Sequence, residues 1–202
     1  MTDERREFFR LVEGDDQDWT THILRALQGV CELAEPLTLL GRTTNPRNLK
    51  TVTVDETIGK YTGLHVDSWD DDDLSRRHLS TNRICINIGK ADRYFLFLPF
   101  SLMDMAQLLS QELGSGGTEG GHCTMLAYHF LERFPELPVI RCRLGPGEAY
   151  IAPTENLIHD GSSEGQIYQD ELFTIRGCIR PLASSHRPAI DRSWARSGVW
   201  SR

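Results

Sequence analysis

From residue 49 onward the chain consists of short apolar segments that are separated by turn-forming residues. Segments of this length that are rich in Val, Ile, Phe and Tyr, with Gly, Pro, Asn or Asp between them, are typical of β-strands. The predicted strands are 49–54, 63–69, 83–88, 94–99, 139–144, 148–152, 157–159 and 172–179. Eight short strands predict a mainly β fold with flanking helices, and specifically a double-stranded β-helix, the jelly-roll or cupin-like barrel.

Helical periodicity appears in three other places. Apolar residues at helical spacing predict an early helix over 15–33, which Pro36 ends and which a loop over 42–48 follows. Two more helices, 101–113 and 122–134, fall between the fourth and fifth predicted strands. The helical pattern therefore predicts an insertion into the barrel rather than a second domain.

No repeat or low-complexity tract divides the chain, so it is interpreted as one domain over 1–202. Its predicted parts are an N-terminal helical region (1–48), a barrel (49–182) with a helical insertion (101–134), and a C-terminal tail (183–202). The glycine-rich stretch 114–121 is either a mobile lid or a plain solvent loop. Trp194 and Trp200 indicate that the tail docks on the barrel or on a second subunit, which would form a homo-oligomer; a disordered tail is the alternative.

Composition excludes several classes of protein. The 202 residues, 39% of them apolar, are enough for a buried core, and a net charge of −7 argues against nucleic acid as the main partner. The longest strongly apolar run, 94–100, is too short to span a membrane, and the charged N-terminus leads into no signal-peptide core. The expectation is a cytoplasmic protein. Five cysteines without a Cys-x-x-Cys pattern argue against a disulfide framework.

The stretch after the first predicted strand carries candidate metal ligands. His65 and Asp67 are two residues apart, and residues at that spacing on a strand point to the same face. His159, in another segment predicted to be extended, is the best candidate for a third ligand. Two histidines and one carboxylate form the ligand set of non-haem Fe(II) oxygenases.

His65-x-Asp67, followed far downstream by His159 and then by Arg176, resembles the pattern of the Fe(II)/2-oxoglutarate-dependent dioxygenase superfamily. The resemblance covers roughly residues 51–181. It implies a jelly roll with His65 and Asp67 near the end of the second strand and His159 on the seventh. It also implies that Arg176 binds the distal carboxylate of the co-substrate 2-oxoglutarate. Arg180, on the same strand face, is the runner-up for this role.

The resemblance implies a chemistry as well as a fold. Fe(II), 2-oxoglutarate and O2 would together hydroxylate an unactivated C–H bond of a small molecule, such as an amino acid or a natural-product intermediate. Asp67 favours hydroxylation, because members of the family that halogenate have Gly or Ala at that position. Desaturation and ring formation remain open.

Four consecutive aspartates, starting at Asp70, follow the metal motif. They are either a solvated loop or a wall of the substrate site, where Asp70 and Asp71 would attract an amine or guanidine. Two other classes of protein also remain open. One is a cupin-like metalloenzyme that does not use 2-oxoglutarate, and the other is a non-catalytic jelly-roll binding protein.

Overall fold

The computed structural model describes residues 21, 24, 27, 28, 31–113 and 123–182. Residues 31–113 and 123–182 form nine β-strands, two α-helices and one turn of 3-10 helix, Arg77–Leu79. The strands are β1 Cys31–Asn45, β2 Val54–Asp55, β3 Lys60–Tyr61, β4 Asn82–Asn87, β5 Arg93–Phe97, β6 Ile140–Leu144, β7 Ala149–Ala152, β8 His159–Ser162 and β9 Asp170–Pro181. The helices are α1 Leu102–Leu113 and α2 Cys123–Arg133.

Two antiparallel sheets form the barrel. The larger has the order β1-β9-β4-β7, and the smaller has the order β6-β5-β8. An isolated bridge between His65 and His159 adds one more extended segment beside β8. From β4 to β9, consecutive strands alternate between the larger and the smaller sheet, except that β5 and β6 are neighbours in the smaller sheet; β2 and β3 form a separate two-stranded sheet. This alternation defines a double-stranded β-helix, so the predicted mainly β jelly-roll fold is confirmed.

Two apolar clusters hold the sheets in place. On the outer face of the larger sheet, side chains of β4 and β9 pack with residues near the N-terminus; the buried members include Ile84, Ile86, Phe173, Ile175 and Ile179. The second cluster lies under α1 and α2 and includes the fully buried Leu102, Met105 and Phe130. Burying one such side chain contributes roughly 1.5–3 kcal/mol. Because Val66 and Ile158 belong to the same cluster, the inserted helices support the segments that carry His65 and His159.

Helix α1 begins where the sequence predicts. The Ser101 hydroxyl accepts a hydrogen bond from the Asp104 main-chain N–H at 3.1 Å, and the Asp104 carboxylate accepts one from the Ser101 N–H at 2.9 Å. This reciprocal capping satisfies two donors at the helix N-terminus. The helix predicted over 122–134 is also confirmed, as α2. The glycine-rich stretch between the helices and the C-terminal tail lie outside the described residues.

Strand β1 corrects two predictions. The sequence predicts a helix end at residues 31–33 and a loop at 42–48, but Cys31–Asn45 is a 15-residue strand paired with β9. The helical pattern does hold at positions 21, 24, 27 and 28, and the rest of 15–30 lies outside the described residues. Pro36 sits at a register shift on this outermost strand, where a missing N–H costs no ladder hydrogen bond.

The predicted strand 49–54 is also wrong over most of its length. It is irregular and reaches β-structure only at Val54–Asp55. Within the described part of the chain, no helix combines the length and apolar character that a membrane span requires.

Candidate metal centre

The three predicted ligands converge at one end of the smaller sheet. The His65 N–H donates to the His159 carbonyl at 3.0 Å, and the His159 N–H donates to the His65 carbonyl at 2.8 Å. This pair of backbone hydrogen bonds places the two imidazole rings with centroids 4.8 Å apart. Asp67, two residues after His65, joins them, so that the ligand atoms of all three side chains lie within 4.8 Å of one another.

The distances between these atoms leave room for an ion. Nε2 of His65 lies 3.6 Å from Oδ1 of Asp67, and Nε2 of His159 lies 3.8 Å from Oδ2 of Asp67. Both separations are longer than a hydrogen bond. Nε2 of His159 is buried without a hydrogen-bond partner, which is costly for a polar atom, and Oδ2 of Asp67 is buried with the Arg83 guanidinium 2.8 Å away as its ion-pair partner. A divalent cation among the three side chains would satisfy the His159 ring, so the residues fit a metal site.

Main-chain carbonyls orient both imidazole rings. Nδ1 of His65 lies 2.7 Å from the Gly63 carbonyl oxygen, and Nδ1 of His159 lies 3.3 Å from that of Leu157. A carbonyl can only accept, so Nδ1 carries the proton in each contact. Nε2 is then left with its lone pair facing the cluster, which is the tautomer that a metal ligand needs.

The protonation states also suit a metal. Burial lowers the pKa of His159 to about 4, so its ring is neutral at neutral pH. Burial raises the pKa of Asp67, but the neighbouring His65 ring and the charge of Arg83 outweigh this and hold the pKa well below its usual range. For His65, burial lowers the pKa, but the Asp67 carboxylate 3.6 Å away and the Gly63 carbonyl raise it above its ordinary value. The site thus combines an ionised carboxylate, a neutral His159 ring and a His65 ring at which protons compete with a metal.

A buried ion pair supports the main chain that follows Asp67. The Arg77 guanidinium donates to the Glu155 carboxylate at 2.7 Å, to the Asp67 carbonyl at 3.0 Å and to the Ser68 hydroxyl at 3.0 Å. The other oxygen of Glu155 accepts the Trp69 N–H at 2.9 Å. Both charged side chains are 1% exposed. Sequence reasoning missed this pair, because Arg77 lies in a run of charged residues that resembles a solvated loop.

Two of the three ligands, Asp67 and His159, line a cavity of about 510 Å³ between the two sheets. That volume suits a co-substrate together with a small substrate. Its lining mixes apolar and polar side chains; among them are Leu40, Val52, Val54, Trp69, Tyr150, Leu172 and Thr174. The cations among the described lining residues are Arg83 and Arg93. Neither arginine was singled out from the sequence, although Arg83 alternates with Cys85 on β4 as an inward-facing residue does.

Arg176 is not among the lining residues, and its hydrogen-bond partners lie outside the lining as well. Its guanidinium donates to the Thr81 hydroxyl at 2.8 Å and pairs with the Asp70 carboxylate. It also lies over the Trp69 ring, with 5.2 Å between Cζ and the ring centroid. Arg180 is exposed and lies opposite Glu32 of β1. The role of Arg176 in binding 2-oxoglutarate, with Arg180 as its runner-up, therefore stays a prediction.

The Asp70 carboxylate connects the loop after Asp67 to the start of β4. It accepts the Thr81 N–H at 2.7 Å and the Thr81 hydroxyl at 2.8 Å, in addition to pairing with Arg176. Asp71 is exposed, with a left-handed backbone at φ 51°. Neither aspartate is among the residues that line the cavity. Their part in substrate recognition stays a prediction, and Asp70 would first have to give up these partners.

No protein-family model and no curated protein matches the chain. It is similar to two solved structures of the Kdo hydroxylase KdoO, described as a non-heme Fe(II) alphaketoglutarate-dependent dioxygenase, one in complex with cobalt(II) and one in the apo form. The cobalt(II) complex is 16% identical to this chain with a TM-score of 0.43, and the apo form is 18% identical with a TM-score of 0.41. In both comparisons the match covers 70% of this chain but only 53% of KdoO, so the chain spans about half the length of the structures to which it is similar.

Proposed function

We propose that this protein is an Fe(II)- and 2-oxoglutarate-dependent oxygenase that hydroxylates an unactivated C–H bond of a small molecule, such as an amino acid or a natural-product intermediate. One observation carries the proposal. Two histidines and one carboxylate converge with their ligand atoms within 4.8 Å, Nε2 of His159 has no hydrogen-bond partner, and Asp67 and His159 open on a cavity. This ligand set is characteristic of non-haem Fe(II) oxygenases.

Each of the three ligands has a defined task. His65, Asp67 and His159 would hold the iron from one side, which leaves the side toward the cavity open to the co-substrate and O2. When bound, the iron supplies the activation of O2, driven by oxidative decarboxylation of 2-oxoglutarate to succinate and CO2. The chain supplies the geometry of the ligands, the ionised state of Asp67 and the neutral ring of His159.

The co-substrate needs a cation for its distal carboxylate, and two arginines compete for this role. Arg176 is the anchor that the sequence predicts. Arg93 is the one favoured by position, because it is 3% exposed and lines the cavity together with Tyr150 and Thr174. Its Nε lies 2.8 Å from Oδ1 of Asp170, so the partner that balances its charge is already in place.

To test the proposal, the protein is reconstituted with Fe(II) without oxygen and then exposed to air. Release of succinate from 2-oxoglutarate is measured in the presence of each member of a panel of amino acids and natural-product intermediates. We expect His65→Ala, Asp67→Ala and His159→Ala each to abolish turnover while the protein stays folded. His129→Ala is the matched control, because His129 is exposed on α2. Full activity of His159→Ala would contradict the proposed ligand set.

Metal binding and succinate release by the same protein also distinguish the two alternative classes of protein. A cupin-like metalloenzyme that does not use 2-oxoglutarate would bind the metal but release no succinate. A non-catalytic jelly-roll binding protein would bind no metal. Comparing the co-substrate affinity of Arg93→Gln with that of Arg176→Gln would identify the anchor, since a lost charged hydrogen bond weakens binding about ten- to a hundredfold.

A further inference from the structure

The opening of the cavity carries a carboxylate whose charge the described residues do not balance. Glu56, in the turn between β2 and β3, is exposed and belongs to the cavity lining. Among the residues that the structure describes, none forms a hydrogen bond or an ion pair with its carboxylate. The other charged residues of the lining are paired, Asp67 with Arg83 and Arg93 with Asp170, each at 2.8 Å. Glu56 therefore contributes the uncompensated charge of the lining.

The segment that carries Glu56 is fixed to the strand of a candidate metal ligand. The Thr53 hydroxyl and main-chain N–H donate to Oδ1 of Asp160 at 2.8 and 3.2 Å. Asp160 directly follows His159 on β8. An extended chain rises ~3.3 Å per residue, so Glu56 lies within roughly 10 Å of Thr53 along the chain. A small molecule that reaches from the metal cluster to the opening can therefore meet Glu56.

The lysine of the β2–β3 hairpin lies on the face that points away from the cavity. Lys60 pairs across the hairpin with Asp55, whose carboxylate also accepts the Thr57 N–H at 2.9 Å. Residues directly opposite each other in an antiparallel pair share a face, and successive residues of a strand alternate between faces. Because Val54 lines the cavity, Asp55 and Lys60 occupy the other face. Lys60 is therefore not placed to neutralise Glu56.

The charge of Glu56 would persist when the metal and the co-substrate are bound. The two positive charges of Fe(II) balance the two negative charges of 2-oxoglutarate, and the two ion pairs of the cavity are neutral. One negative charge then remains at the opening, where it attracts cations. Trp69 and Val54 line the same cavity and are 59% and 44% exposed, so they offer contact to the carbon stem of such a cation.

We propose that Glu56 is a specificity-determining residue that binds a cationic group of the substrate. The substrate class is a small amine or guanidine whose apolar stem packs against Val54 and Trp69. The inference names the substrate class of the proposed function and rests on it. Asp70 pairs with Arg176, whereas Glu56 has no partner in the described part of the chain to give up.

The experiment is a calorimetric titration of protein loaded with Co(II) and 2-oxoglutarate, because Co(II) allows binding to be measured without oxygen chemistry. The probes are two matched pairs, L-arginine with L-citrulline and L-lysine with L-norleucine, in which the second member lacks the charge of the side chain. In the wild-type protein, each cationic probe should bind about three- to tenfold more tightly than its neutral counterpart. This preference should shrink as the salt concentration rises.

Glu56→Gln should abolish the preference while leaving the affinity for L-citrulline and L-norleucine unchanged, and Glu56→Asp should retain part of it. A residue that only stabilised the hairpin would instead weaken all four probes together. Glu136→Gln is the control, because Glu136 is exposed and lies outside the cavity lining. This variant should keep the full preference.

Three results would overturn the inference: equal affinities for the charged and neutral members of both pairs in the wild-type protein, an undiminished preference in Glu56→Gln, or no binding of either cationic probe. Succinate release by the Fe(II)-loaded protein separates this failure from that of the proposed function. Succinate release without a preference for cations would contradict the inference alone. A preference that depends on Glu56, without succinate release, would contradict the proposed function alone.

Discussion

Replacing Glu155 by Gln should damage both the fold and the metal site, for separable reasons. The change leaves the Arg77 guanidinium buried without a charged partner, at 1% exposure, where solvent cannot screen it. Removing one partner of such a pair destabilises a protein by about 3–5 kcal/mol. The main chain of residues 67–69 also depends on the pair, through the Asp67 carbonyl and the Trp69 N–H. Since groups that orient metal ligands typically control affinity by about 10- to 100-fold, Co(II) binding should weaken by that factor.

Urea unfolding of the metal-free protein measures the first effect, and Co(II) titration measures the second. Glu112→Gln is the control for an ion pair, because the Glu112–Arg133 pair is 45% and 49% exposed and its loss should cost less than about 1 kcal/mol. A double variant, Arg77→Met with Glu155→Met, separates the two effects. It should recover much of the stability, since apolar replacement of a buried pair is often neutral, but it should not recover Co(II) affinity. Wild-type Co(II) affinity in the double variant would refute the argument that this pair positions Asp67.

Two further predictions concern pH and packing. Burial lowers the pKa of His159 from 6.5 to about 4 in the folded state, so the contribution of its neutral ring to stability is complete above pH 6.5 and is lost as the pH falls toward 4. In the metal-free protein this loss is roughly 3 kcal/mol. Between pH 7 and pH 4.5, urea unfolding should therefore show a smaller drop in stability for His159→Gln than for the wild-type protein. The raised pKa of His65 stabilises the folded protein at low pH and so opposes the effect of His159. The deciding measurement is therefore the difference in stability between the wild-type protein and His159→Gln at each pH. Gly161→Ala would place a Cβ 2.6 Å from Nη2 of Arg93 and 2.8 Å from Cγ2 of Val52, so we expect a loss of about 1–3 kcal/mol in urea unfolding. Gly145→Ala is the control and should cost less, because its Cβ would come no closer than 3.4 Å to the neighbouring atoms.

The parts of the structure that follow from local patterns could be predicted from the sequence. Six of the eight predicted strands overlap β4 to β9, and the helix predicted over 101–113 became α1, whereas the predicted strand 63–69 keeps only the bridge at His65. The spacing of His65 and Asp67 predicted a shared face, and the structure brings both together with His159.

The parts that depend on distant partners could not be predicted in this way. Strand β1 contains Pro36 and Gly41 and has weak strand character of its own; it forms because β9 offers a free edge along its length. Arg77 and Arg83 resemble surface arginines in a chain that has many, and only the fold shows which ones are buried. The partners of Asp70 are likewise supplied by β4 and β9, from sequence positions that no local pattern connects to it.

The backbone bridge between His65 and His159 has a consequence for how the metal would be gained and lost. In domains that fold only around their metal, the free energy of metal binding drives folding, and chelators therefore unfold the protein. Here two ligands from distant parts of the chain are already held together by paired peptide hydrogen bonds, so an arriving ion would find its histidines in place. The metal-free protein should therefore keep its far-ultraviolet circular dichroism spectrum after treatment with a chelator. A bound metal could then be exchanged during the life of the protein without refolding it.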